Sequence, residues 1–97
     1  MPIAARFEKA PGATLDFDLD FADEMAEAGD TARDIAPVDL AAPSGITVVA
    51  AVWIAEIQRI KVWLSGGTDG KKYVLTAWLN TAGGRRLEMD FLVRIKD

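Results

Sequence analysis

Residues 63–75 read WLSGGTDGKKYVL and place three glycines, an aspartate and a threonine between two apolar runs. The flanks, IKVWL before and YVLTAWL after, predict two strands with a turn between them. The segment from Ser65 to Gly70 is too long for a two-residue hairpin turn. We therefore expect a loop that crosses from one sheet to the other, as in Greek-key sandwiches.

Tyr73 follows Gly70 closely and begins the strand after this loop. In immunoglobulin-like domains, a tyrosine at such a corner places its ring in the core, while its hydroxyl holds the preceding segment. The sequence predicts this tyrosine-corner role for Tyr73.

Alternating apolar and polar residues continue on both sides of the loop. The alternation is present in TLDFDLDF (14–21), RIKVWL (59–64), KYVLTAWLN (72–80) and RLEMDFLVRI (86–95), and ITVVAAVWIA (46–55) is a β-branched run. Turns marked by glycine or proline recur at spacings of roughly ten residues. The pattern predicts an all-β fold, an immunoglobulin-like antiparallel β-sandwich of about seven strands, with a barrel of similar size as the alternative.

The remaining segments are less regular. Residues 1–12 are expected to form an N-terminal arm or edge strand, because Pro11 cannot donate to a ladder, and residues 13–97 to form the sandwich domain. Residues 22–30 predict a single helical turn that ends at Gly29. A short, irregular strand is predicted around Ile35, Val38 and Leu40.

The composition excludes several kinds of chemistry. The 97 residues contain no cysteine and no histidine, so disulfides, thiolate metal sites and the commonest general base are missing. Ser44 and Ser65 have no histidine to activate them, and the glycine-rich loop lacks the lysine–hydroxyl ending of a phosphate loop. We expect no enzymatic activity, no cofactor and no metal ion.

Charge is unevenly distributed along the chain. Residues 1–45 carry ten acidic and three basic side chains, and residues 46–97 carry five and eight, which gives net charges of −7 and +3. Either two solvated halves simply differ, or the molecule is bipolar and stacks head to tail with copies of itself or with neighbours of opposite sign. The total of −4 argues against nucleic acid as the main partner.

No stretch approaches the roughly 18–20 uninterrupted apolar residues of a membrane span. The first residues, MPIAARFEKAPG, also lack an apolar core of signal-peptide length. We therefore expect a protein made in the cytoplasm that binds no membrane.

Asp16, Asp18 and Asp20 lie on the polar side of the predicted 14–21 strand. With Glu27 they match four positions of an EF-hand loop, but Phe21 stands where that loop needs glycine. Neighbouring aspartates on one strand face would also be about 7 Å apart, too far for one ion. We interpret the three aspartates as an anionic row that faces solvent or a partner.

Trp53, Trp63 and Trp78 lie on three different predicted strands, each out of phase with the small aliphatic residues of its own strand. If the even-numbered residues of 46–54 face the core, Trp53 faces out, unless a β-bulge returns it to the core. Exposed aromatic patches mark protein interfaces. We therefore predict partner binding by these tryptophans, with Trp63 and Trp78 on a partner-facing sheet surface.

Several stretches resemble a known family when taken in order. They are PGATLDFDLDF, GDT at 29–31, GITV at 45–48, VWLSGGTDGKKYVLT and NTAGGRRLEMDFLVRI. From about Pro11 to Lys96, the chain resembles the small fibre–tail adaptor proteins of tailed phages and prophages. It departs from that pattern at Phe21 and Met25, where the family usually has tryptophans, and at 34–37, where a longer serine- and threonine-rich strand is expected.

The resemblance implies an immunoglobulin-like fold, no catalysis and a place in the tail or neck of the virion. We predict a non-enzymatic structural protein, an adaptor or head–tail connector that binds other tail or neck proteins and copies of itself in a ring. It would reside in the host cytoplasm before assembly. The alternative is a small carbohydrate- or surface-binding module, because aromatics on a flat sheet also stack on sugars.

Overall fold

The computed structural model describes residues 3–29 and 38–97, which form two β-sheets and one short helix. The elements are β1 (Ile3–Lys9), β2 (Leu15–Asp20), α1 (Ala22–Ala28), β3 (Val38–Ala41), β4 (Ile46–Ile54), β5 (Arg59–Gly66), β6 (Lys72–Asn80) and β7 (Arg86–Ile95), with a 3-10 turn at Ala55–Ile57. The predicted strand position at Ile35, the last two residues of the GDT turn and the divergent segment 34–37 lie outside the described residues.

The strands form a β-sandwich, which confirms the predicted fold class over the barrel alternative. One sheet has the order β1-β7-β6-β3 and the other the order β2-β5-β4. β2, β5 and β4 share one sheet and β7, β6 and β3 the other, as strands B, E, D and G, F, C do in constant-type immunoglobulin domains. The immunoglobulin-like assignment itself stays a prediction.

β1 forms an edge of the four-stranded sheet and runs parallel to β7. Phe7 anchors it, because its ring lies 4.7 Å from the ring of Phe17 and 6.1 Å from that of Phe91. The Lys9 side chain is buried, and its Nζ donates to the carbonyl oxygens of Ala10 and Gly66, each at 2.7 Å. The N-terminal strand is thus tied to the end of β5 in the opposite sheet.

Strand alternation places the core between the sheets as predicted for β5, β6 and β7. Nine inward-facing side chains of these strands are fully buried: Ile60, Val62, Leu64, Leu75, Ala77, Leu79, Phe91, Val93 and Ile95. Each of these strands presents alternate residues to the opposite sheet, so the two sheets share one apolar layer.

β4 departs from the predicted alternation because it contains a β-bulge. Val48 pairs with Leu64 and Ala50 with Trp63, which leaves Val49 as the extra residue. The extra residue moves every later side chain of β4 to the opposite face of the sheet, since side chains alternate with a period of two. The prediction that Ala50 and Val52 face the core is therefore wrong.

The loop between β5 and β6 crosses from the three-stranded to the four-stranded sheet, as predicted. Tyr73 is buried, and its hydroxyl accepts a hydrogen bond from the Thr68 backbone N–H at 3.1 Å. Hydrogen bonding from Thr68, first through its side chain and then through its backbone N–H, lowers the pKa of Tyr73, because it stabilises the phenolate. The predicted placement of Tyr73 is confirmed, with its ring in the core and its hydroxyl bonded to the preceding loop.

The opposite end of the sandwich carries α1 and the β6–β7 hairpin turn. α1 ends at Ala28 and is capped by Gly29, whose φ of +62° is left-handed, as the sequence predicted, although its 7 residues make about two turns rather than one. Phe21 and Met25 are buried and join the helix to the core. Gly84, with a φ of +87°, allows the hairpin turn between the last two strands.

Candidate protein-interaction surfaces

The three aspartates of β2 lie on the outer face of the three-stranded sheet, opposite basic residues of β5. Asp16 lies 3.0 Å from Lys61, measured from Oδ2 to Nζ, and Asp18 lies 3.6 Å from the same Nζ. Arg59 lies 3.7 Å from Asp18 and 3.8 Å from Asp20. The predicted anionic row is therefore a row of ion pairs, because Asp18 and Asp20 lie directly across from Lys61 and Arg59, and Asp16 reaches Lys61 diagonally.

The pKa values of the closest pair follow from this geometry. The hydrogen bond from Lys61 lowers the pKa of Asp16, and the same bond together with the charge of Asp18 raises the pKa of Lys61. Within residues 3–29 and 38–97, no three acidic side chains are grouped so as to hold a metal ion. Two of the aspartates bind Lys61 instead.

An apolar patch, formed by Val49, Ala50, Val52 and Trp63, lies beside these ion pairs. Val49 is 57% exposed, Val52 50% and Trp63 38%. Trp63 pairs across the ladder with Ala50 on one side and with Asp16 on the other. The bulge produces the patch, because it turns both Val49 and Ala50 outward.

Trp53 occupies the core, so its predicted outward position is wrong. It is 8% exposed, and its ring meets the Phe21 ring edge-on with centroids 6.5 Å apart. The β4 bulge explains the error, because it moves odd-numbered residues to the inner face. Its indole Nε1 is buried and has no hydrogen-bond partner among the residues that the structure describes.

Trp78 lies on the outer face of the other sheet. Its Nε1 donates to Glu88 Oε1 at 2.9 Å, and the Arg86 guanidinium lies 5.0 Å from the ring centroid. Arg86 also contacts Asp39, with 2.9 Å from Nη1 to Oδ2. Trp63 and Trp78 thus belong to different sheets, and the prediction of one surface holding both is wrong.

Sequence reasoning missed a basic depression on the outer face of the four-stranded sheet. Its volume is about 440 Å³, and its lining residues are Arg6, Phe7, Glu8, Lys72, Leu92 and Arg94. In the sequence, each base alternates with inward-facing residues of its own strand, and this pattern indicates that the base lies on the outer face of the sheet. Their proximity depends on the parallel β1–β7 pairing, which the alternation does not reveal.

A comparison with known families identifies one match. Residues 9–94 match the family described as Podophage GP4 fiber-tail adaptor protein gp77. The matched region contains β2 to β6 and all but the last residue of β7. No curated protein matches the chain at a significant level. Among the described residues, no helix has the length and apolar content that a membrane span needs.

Proposed function

We propose a specific docking role for this chain, which belongs to the podophage GP4 fiber-tail adaptor family. As a phage fibre–tail adaptor, it is a structural part of the virion and binds other tail proteins. In this role, the chain contacts other tail proteins through two surfaces on opposite sides of the sandwich.

The first surface is the apolar patch around Trp63. A tryptophan held on a rigid sheet gives a partner a large contact area at little entropic cost, and tryptophan is enriched at binding hot spots. The ion pairs of Asp16 and Asp18 with Lys61 form the polar rim that such an interface needs. The exposure of Trp63 beside Val49 and Val52 is the observation that carries this proposal.

The second surface is the outer face of the four-stranded sheet around Trp78. Its ring is held between Arg86 and Glu88, so it is ordered before any partner arrives. An adaptor joins two components, and two separate surfaces serve that purpose better than one shared patch. The same geometry suits a neck or head–tail connector of a phage or prophage as well as fibre attachment.

We also infer that the protein is non-enzymatic. Cysteine and histidine are missing from the sequence. On the face that carries Trp63, the carboxylates nearest to it are engaged by Lys61 and Arg59 rather than directed into a cleft. Nucleic acid and membrane are not expected partners. The chain would stay in the host cytoplasm until the particle is assembled. In the particle it would join copies of itself in a ring.

The double variant Trp63→Ser/Val52→Ser tests the first surface. We expect it to keep its β-sheet circular dichroism while its affinity for the tail falls about thirtyfold or more, as for loss of a hot spot of about 2 kcal/mol. The readout is the amount of adaptor in purified particles, measured by quantitative mass spectrometry. Ile57→Ser is the matched control, because Ile57 is 49% exposed but lies outside the sheet face.

Normal incorporation of the double variant would overturn the assignment of this surface. A glycan array run on the same purified proteins addresses the alternative function. Sugar binding that Trp63→Ser abolishes, with incorporation unchanged, would favour a carbohydrate-binding module instead.

A further inference from the structure

The basic depression lies where β1, β7 and β6 meet on the outer face of the four-stranded sheet. Glu8, Arg94 and Lys72 stand in one cross-strand row, and Arg6 pairs with Leu92 two residues further along. Lys72 begins β6 and Arg94 is the penultimate residue of β7, so the depression is close to the crossover end.

The basic residues in the depression differ from the paired bases on the outer faces of the two sheets. Arg6, Lys72 and Arg94 make no ion pair with any described carboxylate, whereas Lys61 pairs with two aspartates and Arg86 with one. Glu8 offsets a single positive charge. Leu92 lies beside Arg6 and Arg94, and the exposed Val74 pairs with Leu92 at the edge of the depression. The surface therefore suits a short segment with carboxylates on either side of a small apolar residue.

The α1 helix carries such a face. Asp23, Ala26 and Glu27 are exposed, and their i, i+3, i+4 spacing places them together on one side of the helix. Met25 holds the opposite side in the core, so the acidic face is fixed in position. Neither Asp23 nor Glu27 pairs with a base among the residues that the structure describes.

We propose that the basic depression of one copy receives the acidic face of α1 from a second copy. The inference rests on the proposed tail-adaptor function, which calls for several copies, and it names the surfaces through which they meet. Asp23 and Glu27 pair with the bases of the depression, and Ala26 packs on Leu92 and Val74.

The contact must be head to tail. A two-fold contact of the depression with itself would oppose like charges, which is unfavourable. The helix follows the far end of β2, whereas the depression lies near the crossover, so the two surfaces occupy opposite ends of a molecule about 40 Å long. A head-to-tail contact repeats from copy to copy, and it closes into a ring when the rotation between copies allows it.

Charge reversal tests the proposal on the full chain. The variants Lys72→Glu/Arg94→Glu and Asp23→Lys/Glu27→Lys should each associate about tenfold more weakly than the wild type in sedimentation velocity at low salt. An equimolar mixture of the two variants should regain association, because each reversed surface then meets a complementary one. Far-UV circular dichroism of each variant establishes that it folds.

Engineered cysteines give a second, geometric measurement, since the chain has no cysteine of its own. Ala26→Cys mixed with Val74→Cys should form an intermolecular disulfide under mild oxidation. Ala26→Cys mixed with Ala50→Cys is the matched control, because Ala50 is exposed on the other sheet. The first mixture should yield about tenfold more mixed dimer than the second.

Equal cross-linking in the two mixtures, or a mixture of charge variants that fails to associate, would overturn the proposal. Those results would leave the tail-adaptor function intact, provided that the wild-type chain is found in purified tails. A wild-type chain missing from tails would instead refute the function on which the inference rests.

Discussion

The crossover end of the sandwich and the outer face of its three-stranded sheet are built on the same strand, β5, yet they tolerate change differently. At the crossover, a Cβ on Gly67 would lie 2.6 Å from the Ile95 side chain. On the outer face, Trp63 and the Asp20–Arg59 pair are open to solvent. Substitutions at the crossover should therefore reduce stability, and those on the outer face should change binding instead.

A lysine in each region shows the same contrast in its electrostatics. Burial lowers the pKa of Lys9, whose Nζ donates to the carbonyl oxygens of Ala10 and of Gly66 at the crossover. The pKa of Lys61 on the outer face is raised by Asp16 and Asp18. One lysine joins the ends of two sheets, and the other forms part of the rim of the proposed docking surface.

Gly67→Ala tests this contrast with the largest expected loss of stability. The new methyl group would clash with buried Ile95, and the φ of +98° is unfavourable for alanine, so we expect a loss of about 3 kcal/mol in the free energy of unfolding. Gly70→Ala is the control, because its φ is +83° but no atom from the described part of the chain, apart from its chain neighbours, lies within 4 Å of its Cβ position. Its loss should be about 1 kcal/mol. Equal losses for the two variants in urea denaturation would show that the contact with Ile95 does not contribute to the cost of Gly67→Ala.

Tyr73→Phe tests one hydrogen bond at the crossover. The Thr68 N–H would lose its acceptor in a part-buried position, and we expect a loss of about 1–2 kcal/mol. Trp78→Phe provides the comparison, because it deletes a bond of similar length, from Nε1 to Glu88, on an exposed face. It should change stability by about 0.5 kcal/mol or less. A loss of stability for Trp78→Phe larger than that for Tyr73→Phe would contradict the expectation that hydrogen bonds at the crossover matter more than those on an exposed face.

The crossover was predictable because its signals are local. Glycines of 66–70 set the turn chemistry, and the two-residue period of β5 and β6 fixes which side chains face the core. Tyr73 could be assigned from its place at the start of β6 alone. These features depend on residues that are neighbours in the chain.

The outer surfaces were less predictable because they depend on pairing between distant residues. One extra residue at Val49 sends Trp53 inward, and the β-branched run around it carries no glycine or proline to mark the bulge. Trp63 and Trp78 have similar local patterns but belong to opposite sheets. The aspartates of β2 were correctly placed on an outer face, while their partner Lys61 is 45 residues from Asp16 in sequence.

Asp16→Asn tests that long-range pairing and should have the smallest effect. Because the folded-state pKa of Asp16 is below the ordinary 3.8, the pair's contribution is complete above that pH and is lost as pH falls through the folded-state value. The raised pKa of Lys61 has the opposite consequence, so the contribution is complete below pH 10.5 and is lost as pH rises through the folded-state value of Lys61. The stability difference between wild type and Asp16→Asn should thus be level at neutral pH and shrink at both extremes.

In a Lys61→Met background, the acid-side change should become smaller and the alkaline change should vanish. A difference that stays constant from acid to alkaline pH would mean that this part of the rim does not couple β2 to β5.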